Sequence, residues 1–365
     1  MNKTLRHLEL FSGIGGFRKA IDLFCEDSNI EAKCVGFSEF DKYALNTYKS
    51  NFDVSDELEI GDIERFTSNV NNIKKIKDFD LLTGGFPCQP FSMMGAKKGF
   101  DDNRGNVFYS ILNILRIKQP KYVLLENVRN LRTHDKGNTI LEIYRSLQED
   151  AGYLVFHDVF NTADFGLPQT RRRLFIFAIR KDLIVKGKEF DFSSKNVKDD
   201  LSELIGSTRL NKYKNVLDGI LERKVDQKYY LSERIKPTIL ANGSKNFKSK
   251  SEINQLIARP LTATMVKMHR ACQDNYYSDN FLNCKNPEDY LNSKIPKEEE
   301  AKHKIRKLTP LEAFRLQGFE DQFCQNAKLS GVSNHQLYKQ AGNAVSVNTV
   351  YVILYYLFNK NIIKI

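Results

Sequence analysis

The 365-residue chain has no tryptophan, no CxxC pair and no Pro-Pro pair. It also has no apolar run approaching the ~20 residues that a membrane-spanning helix needs, which argues against a membrane protein. The first residues, Met1-Asn2-Lys3-Thr4-Leu5-Arg6, lead straight into a strand pattern and lack the apolar core of a secretion signal. The six cysteines (25, 34, 88, 272, 284 and 324) form no metal-ligand rhythm with the six histidines. Neither a structural zinc nor a disulfide framework is expected, and a reducing cytoplasm is the natural setting. Internal repeats and low-complexity tracts are absent.

What remains is ordinary globular composition, 41% hydrophobic and 28% charged, with length for about two domains. The net charge of +11 suits a polyanionic partner, although charge alone does not separate nucleic acid from general solubility.

The first half alternates short apolar runs with helical stretches. Strands are expected at Leu5–Phe11, Cys34–Ser38, Phe79–Thr83, Tyr122–Leu125, Leu154–Phe160 and Leu174–Ile179. Helices are expected near 17–24, 42–50, 107–117 and 138–148. This alternation implies an α/β fold with a mostly parallel sheet, whose ligands bind beyond the carboxyl ends of the strands. After about Lys181 the texture becomes polar and poorly periodic: residues 181–258 carry 16 Lys/Arg against 11 Asp/Glu. A second, looser domain is expected there, to about residue 304. The apolar segment Val345–Phe358 reads as a helix packing back on the first domain.

One run stands out: Gly84-Gly85-Phe86-Pro87-Cys88-Gln89-Pro90-Phe91-Ser92. Most free cysteines are small core residues. Here the glycines permit a tight turn and the two prolines fix φ, so a thiol is presented on a constrained loop. Glu126-Asn127-Val128 follows the strand Tyr122–Leu125, placing a carboxyl at the same sheet edge. A thiol and a carboxyl together suggest covalent catalysis with acid assistance. The turn Phe11-Ser12-Gly13-Ile14-Gly15-Gly16 brings backbone to a ligand but lacks a full GxGxxG. Glu39 is placed to accept ribose hydroxyls, and Gly61-Asp62-Ile63 adds an acidic and an apolar contact. That set fits an adenosine-type ligand without a pyrophosphate clamp, though a tight structural turn beside two surface acids gives the same pattern. Gln169-Thr170-Arg171-Arg172-Arg173 precedes a strand, where Arg171 and Arg173 are expected on one side and Arg172 on the other. By itself that triplet reads as a basic surface patch.

In this order, and with Arg259-Pro260-Leu261-Thr262 and Gln340-x-Gly342-Asn343-Ala344-Val345 further on, these motifs resemble the DNA (cytosine-5) methyltransferases of bacterial restriction-modification systems. The resemblance runs from Leu8 to about Asn348 and is weakest across 181–258. It implies a Rossmann-like sheet dependent on S-adenosyl-L-methionine, with a smaller, irregular target-recognition domain. The domains would be 1–184 (completed by 336–365) for catalysis and cofactor, 185–304 for target recognition, and 305–335 as a return segment.

By the same resemblance, Cys88 attacks C6 of a cytosine, and methyl transfer to C5 follows. Glu126, in its protonated form, holds N3 with support from Asn127, while Arg171 and Arg173 contact O2. Phe11, Gly13, Gly15, Glu39, Phe40, Asp62, Ile63, Pro87 and Asn343 line the cofactor site; Phe40 stands where many relatives have tryptophan. No metal is implied. The cytosine is flipped out of double-stranded DNA, beneath a mobile loop over Phe91–Asn106, with Gly95, Gly99 and Gly105 in it and Met94 filling the stack. Target recognition falls to Ala241–Asn254, in which Lys245, Lys248 and Lys250 crowd around Asn242-Gly243-Ser244, and to the segment after Thr264 through about Tyr277, with Lys267, His269, Arg270, Gln273 and Asn275. The charged insert Lys297–Lys307 reads as a solvated connector. The resemblance further implies a monomer and a cognate restriction endonuclease acting on the same site. A tRNA cytosine-5 methyltransferase of the same fold, and a catalytically silent DNA-binding homologue, stay open as alternatives. An adenine amino-methyltransferase does not, because its loop needs a Pro-Pro pair.

Overall fold

The computed structural model describes residues 3–87, 107–184, 190–201, 208–243, 249–267 and 270–365. Cys88, Gln89, Pro90 and the expected loop 91–106 with Met94 lie outside the described residues, as do Lys245, Lys248 and His269. The chain forms two compact units: Met1–Asn161 with Arg172–Leu210 and Thr349–Ile365, and Thr162–Arg171 with Asn211–Asn348.

The first unit is built on a sheet of seven described strands: β1 (Thr4–Leu10), β2 (Glu31–Phe37), β3 (Leu58–Glu59), β4 (Leu81–Gly85), β5 (Tyr122–Val128), β6 (Tyr153–Asn161) and β7 (Arg172–Arg180). Their order is β3-β2-β1-β4-β5-β7-β6. The first five pair in parallel, and β7 runs antiparallel to both of its neighbours. The alternation of strands and helices did not reveal that reversal. It matters, because the start of β7 thereby lies at the same edge as the end of β5, with Arg173 opposite Val128.

Side chains alternate across the sheet as strand geometry requires. Leu8, Leu10, Leu82, Val123, Leu125, Leu174, Ile176 and Ala178 share one core. They meet Ile63 of α3 (Ile63–Thr67), Ile73 of α4 (Val70–Lys75), Ile111 and Leu115 of α5 (Val107–Lys118) and Ile143 of α6 (Asn138–Arg145). Each such side chain contributes about 1.5–3 kcal/mol when fully buried. Elsewhere in the unit, Phe24 of α1 (Gly16–Asp27) meets Tyr351 and Phe358 edge-on, at ring separations of 6.4 and 5.5 Å. Those two rings belong to the C-terminal helix Val347–Asn359. The run Asn334–Asn359 is long and apolar enough by composition to cross a membrane, but 83% of its apolar window is buried, as in a core helix.

The second unit has little regular structure. Ile239, Leu240, Ala271, Tyr276 and Ile305 form a small core, beside the antiparallel pair β8 (Tyr276–Ser278) and β9 (Ile305–Lys307). The insert expected to be a solvated connector ends in β9. There Arg306 is fully buried and pairs with Glu312 at 2.7 Å. Glu312 also closes a capping box with Thr309 at the start of helix Pro310–Leu316. A buried guanidinium needs such a partner, so this end of the insert is structural.

Candidate functional site

In the first unit, the glycine turn after β1 is held by main-chain donors and one carboxylate. Phe11 and Gly13 both have positive φ, at 52° and 56°. The Phe11 N–H donates to Ser38 Oγ at 3.0 Å, and the Ser12 N–H donates to the Ser38 carbonyl at 2.8 Å. Glu39 accepts from Gly13 N–H through one oxygen at 2.8 Å, and from Phe40 and Asp41 N–H through the other at 2.9 and 2.7 Å. Burial raises the Glu39 pKa above the usual carboxylate range, while these three backbone donors pull it back. Asp41 in turn caps α2 (Lys42–Lys49), which fixes the path of the chain after Glu39.

Next to Glu39 the ring of Phe40 stands 81% exposed. Asp62 is exposed and caps α3 by accepting from Glu64 and Arg65 N–H, and Ile63 is buried behind it. Gly15 has φ 89°, and a Cβ there would sit 2.3 Å from Phe52 Cε2 and 3.1 Å from Tyr48 Cδ2. The glycine therefore admits close packing from within the unit as well as backbone curvature.

The second part of this site gathers around β4, β5 and β7. Gly85 pairs with Glu126 in register, and a Cβ on Gly85 would lie 3.4 Å from Glu126 Oε2. Glu126 Oε1 lies 3.0 Å from Arg173 Nε, with only 12% and 21% of the two side chains exposed. Asn127 is buried; its Nδ2 donates to the Phe86 carbonyl at 2.9 Å, and its Oδ1 accepts from Val128 N–H at 2.8 Å. That amide therefore ties the end of β5 to the strand exit that carries Pro87, which is exposed.

Of the triplet, Arg172 and Arg173 open β7, and Arg171 precedes the strand. Arg173 belongs to the first unit and Arg171 to the second. Arg171 is 2% exposed. Its Nη1 donates to the Leu261 carbonyl at 2.9 Å, and its Nη2 to the carbonyls of Gly342 and Ala344 at 3.1 and 2.9 Å. Gln169 donates to the Leu316 carbonyl at 2.8 Å and accepts from Leu261 N–H at 2.9 Å. Gly342 approaches the Thr262–Ala263 peptide so closely that a Cβ would meet it at 2.2 Å. Three motifs far apart in sequence thus interlock in this unit, around buried Gln169 and Arg171. Asn343 ends the helix Asn334–Asn343 and is exposed.

The two stretches expected to recognise a target also come together in the second unit. Glu252 N–H donates to the Ala271 carbonyl and Asn254 N–H to the Tyr276 carbonyl, while Arg270 Nη1 donates to the Asn242 carbonyl at 2.8 Å. Asn275 is turned inward, exchanging side-chain bonds with the Arg259 backbone at 2.7 and 3.2 Å. It is a brace for the Arg259 segment and does not face outward to read bases. Sequence reasoning missed Ser38 and Phe52. A polar residue at the end of β2 is the signal that would have drawn attention to Ser38; nothing local marks Phe52.

Comparison with solved structures gives the class. The S. pombe Dnmt2 methyltransferase superposes with a TM-score of 0.68 at 22% identity, covering 99% of each chain. At that identity the likeness shows the fold alone. The chain belongs to the C-5 cytosine-specific DNA methylase family, whose model matches residues 5–359. The type II methyltransferase M1.ScrFI of Lactococcus lactis subsp. cremoris is 38% identical over 353 residues, 96% of this chain and 78% of that protein. The type II methyltransferase M.NlaX of Neisseria lactamica is 34% identical over 350 residues, 95% of this chain and 94% of that one.

Proposed function

We propose that this chain transfers a methyl group from S-adenosyl-L-methionine to C5 of a cytosine flipped out of a specific short sequence in double-stranded DNA. The observation that carries this reading is the Glu126–Arg173 pair beside Gly85, three residues before Cys88.

The residues of the first unit fit an adenosyl cofactor. Glu39 is aligned by three backbone donors, Phe40 offers an uncovered ring, and the buried Ser12 Oγ beside the turn has no hydrogen-bond partner among the described residues. Glu39 would hold the ribose, Phe40 and Ile63 the adenine faces, and Asp62 a polar edge of the ring. The turn Phe11, Gly13 and Gly15 would line the site with Pro87. When bound, the cofactor supplies a methyl on a sulfonium.

The protein's part is to make cytosine C5 nucleophilic. Cys88 as thiolate adds to C6, breaking the C5–C6 double bond and placing electron density on C5. Glu126 holds N3, where charge shifts as the thiol adds, and Arg173 fixes the carboxyl and reaches toward O2. Asn127 pins the Phe86 carbonyl and with it the strand exit that carries Cys88. After methylation the C5 proton is lost and the thiolate leaves. Arg171 orders the backbone of Leu261, Gly342 and Ala344 within the second unit.

Flipping costs a few kcal/mol of lost stacking. The second unit would offset this through target contacts, with Lys267, Arg270 and Gln273 as candidates for phosphate and base edges. A monomer working alongside a restriction endonuclease of the same specificity fits the type II relatives.

The test is base-resolution 5-methylcytosine sequencing of DNA from a methylation-deficient host expressing the wild type or Cys88→Ser. One short motif methylated only by the wild type is the expected result. No mark on DNA from a folded, cofactor-binding protein overturns the reading, and a mark on tRNA alone assigns the chain to the tRNA-modifying branch.

A further inference from the structure

Behind the glycine turn of the first unit lies a buried polar network that none of the proposed catalytic steps uses. Arg18, one turn into α1, sends Nη1 and Nη2 to the two oxygens of Glu57 at 2.9 and 2.7 Å. Nη2 also donates to the Asp53 carbonyl at 3.1 Å, and Nη1 to Tyr48 Oη at 3.3 Å. Tyr48 Oη donates to Glu9 Oε2 at 3.1 Å. Glu9, Tyr48 and Arg18 are all buried, as is the Glu57 side chain.

The same guanidinium lies 4.4 Å from the centroid of the Phe52 ring, which packs against Tyr48 at 4.8 Å with the two rings tilted by 51°. Those two rings are the ones that leave no room for a Cβ at Gly15. Members of the network flank three of the proposed cofactor segments: Glu9 precedes Phe11 and Gly13, Tyr48 lies on the helix that follows Glu39 and Phe40, and Glu57 stands ahead of Asp62 and Ile63.

We propose that Arg18, through Glu57, Tyr48 and the Phe52 ring, is the positioning residue of the adenosyl-cofactor site, setting where the Gly13–Gly15 turn stands relative to Glu39 and Asp62. Arg18 touches no ligand. A bidentate arginine–carboxylate pair fixes two segments in both distance and plane. Stacking of the guanidinium on Phe52 then transmits that position to the ring on which Gly15 rests. The inference builds on the cofactor reading made above.

The experiment is calorimetric titration of the full chain with S-adenosyl-L-homocysteine, read beside thermal unfolding and affinity for a DNA duplex. Arg18→Gln and Phe52→Leu should each weaken binding about tenfold or more, raise the KM for S-adenosyl-L-methionine, and leave duplex affinity within about twofold. Phe52→Tyr, which keeps the ring, should bind like the wild type. If Arg18→Gln does not fold, the Phe52 pair decides the matter. Folded variants with a lower Tm but wild-type binding would overturn the positioning role and leave the cofactor reading intact. A wild type that binds neither compound would overturn the cofactor reading itself.

Discussion

Arg173 Nε lies 3.0 Å from Glu126 Oε1, across the antiparallel pair β5 and β7, where the parallel run of the sheet ends. The pair is diagonal: Arg173 stands opposite Val128, two residues along from Glu126 and therefore on the same face. A guanidinium so placed orients the carboxyl from within the sheet. Arg173→Ala should lower kcat about 10²–10³-fold, the usual cost of losing one preorganised donor. Combined with Glu126→Gln it should show much less than the product of the two effects, because the residues act as a unit. Single-turnover methylation of a duplex carrying the target checks this, and simple multiplicativity would sink it.

Phe40 tests the cofactor face separately. Its ring is 81% exposed, so little of the fold depends on it. Loss of a stacking face is worth about 0.5–1.5 kcal/mol. Phe40→Ala should raise the KM for S-adenosyl-L-methionine about threefold to tenfold and leave Tm unchanged. Phe40→Trp should restore or improve it. An unchanged KM would remove Phe40 from the cofactor site.

Arg171 and Arg172 are neighbours with opposite expectations. Arg171→Ala strands three buried carbonyls, each costing about 1–3 kcal/mol when unsatisfied. The variant should be at least about 3 kcal/mol less stable, and lysine should not rescue it, because a single ammonium does not reproduce the fork. Exposed Arg172→Ala should stay within about 0.5 kcal/mol of the wild type. Urea unfolding followed by fluorescence and circular dichroism distinguishes the two. Equal stabilities would show that the three carbonyls do not depend on Arg171.

Those two arginines also mark how far the sequence could be read. Strand and helix positions in the first unit follow from period-two and helical apolar patterns, since one contiguous core enforces them: the expected helix 107–117 is observed as Val107–Lys118. The two-residue β3 left no pattern, and the antiparallel direction of β7 is a property of pairing that a single strand does not carry. The run Glu126-Asn127-Val128 was legible as standing at a strand end, and it forms the last three residues of β5. The division of labour within the triplet 171–173 was not, because it spans two units. Arg171 is drawn to carbonyls about 90 and 170 residues away in sequence. The polar texture of the second unit concealed its structural ions. Arg306 looks like any other surface charge in the sequence, and its partner Glu312 lies beyond the insert that seemed solvated.

The last prediction concerns pH. His7 on β1 is fully buried, and neither ring nitrogen has a hydrogen-bond partner among the described residues. Burial first, and the charge of Arg18 second, push its pKa down from 6.5 to about 3. A folded-state pKa depressed in this way favours the native state above pH 6.5, and the advantage drains away as pH falls toward 3. The full swing has an upper bound of about 5 kcal/mol. Glu9, two residues on, behaves in the opposite sense. It faces Arg18 and Asp22 of α1 and Tyr48 of α2, and burial raises it from 4.5 to about 8. Its contribution is complete below pH 4.5 and is lost as pH rises through 8. His7→Leu removes both orphaned nitrogens, so it should raise Tm at pH 7 and flatten the decline in stability between pH 6.5 and 4. Glu9→Gln should leave that acid limb in place and flatten the alkaline one up to about pH 8. Tm measured from pH 4 to 9 for the three proteins separates these effects; an acid limb of wild-type steepness in His7→Leu would assign it to the carboxylates instead.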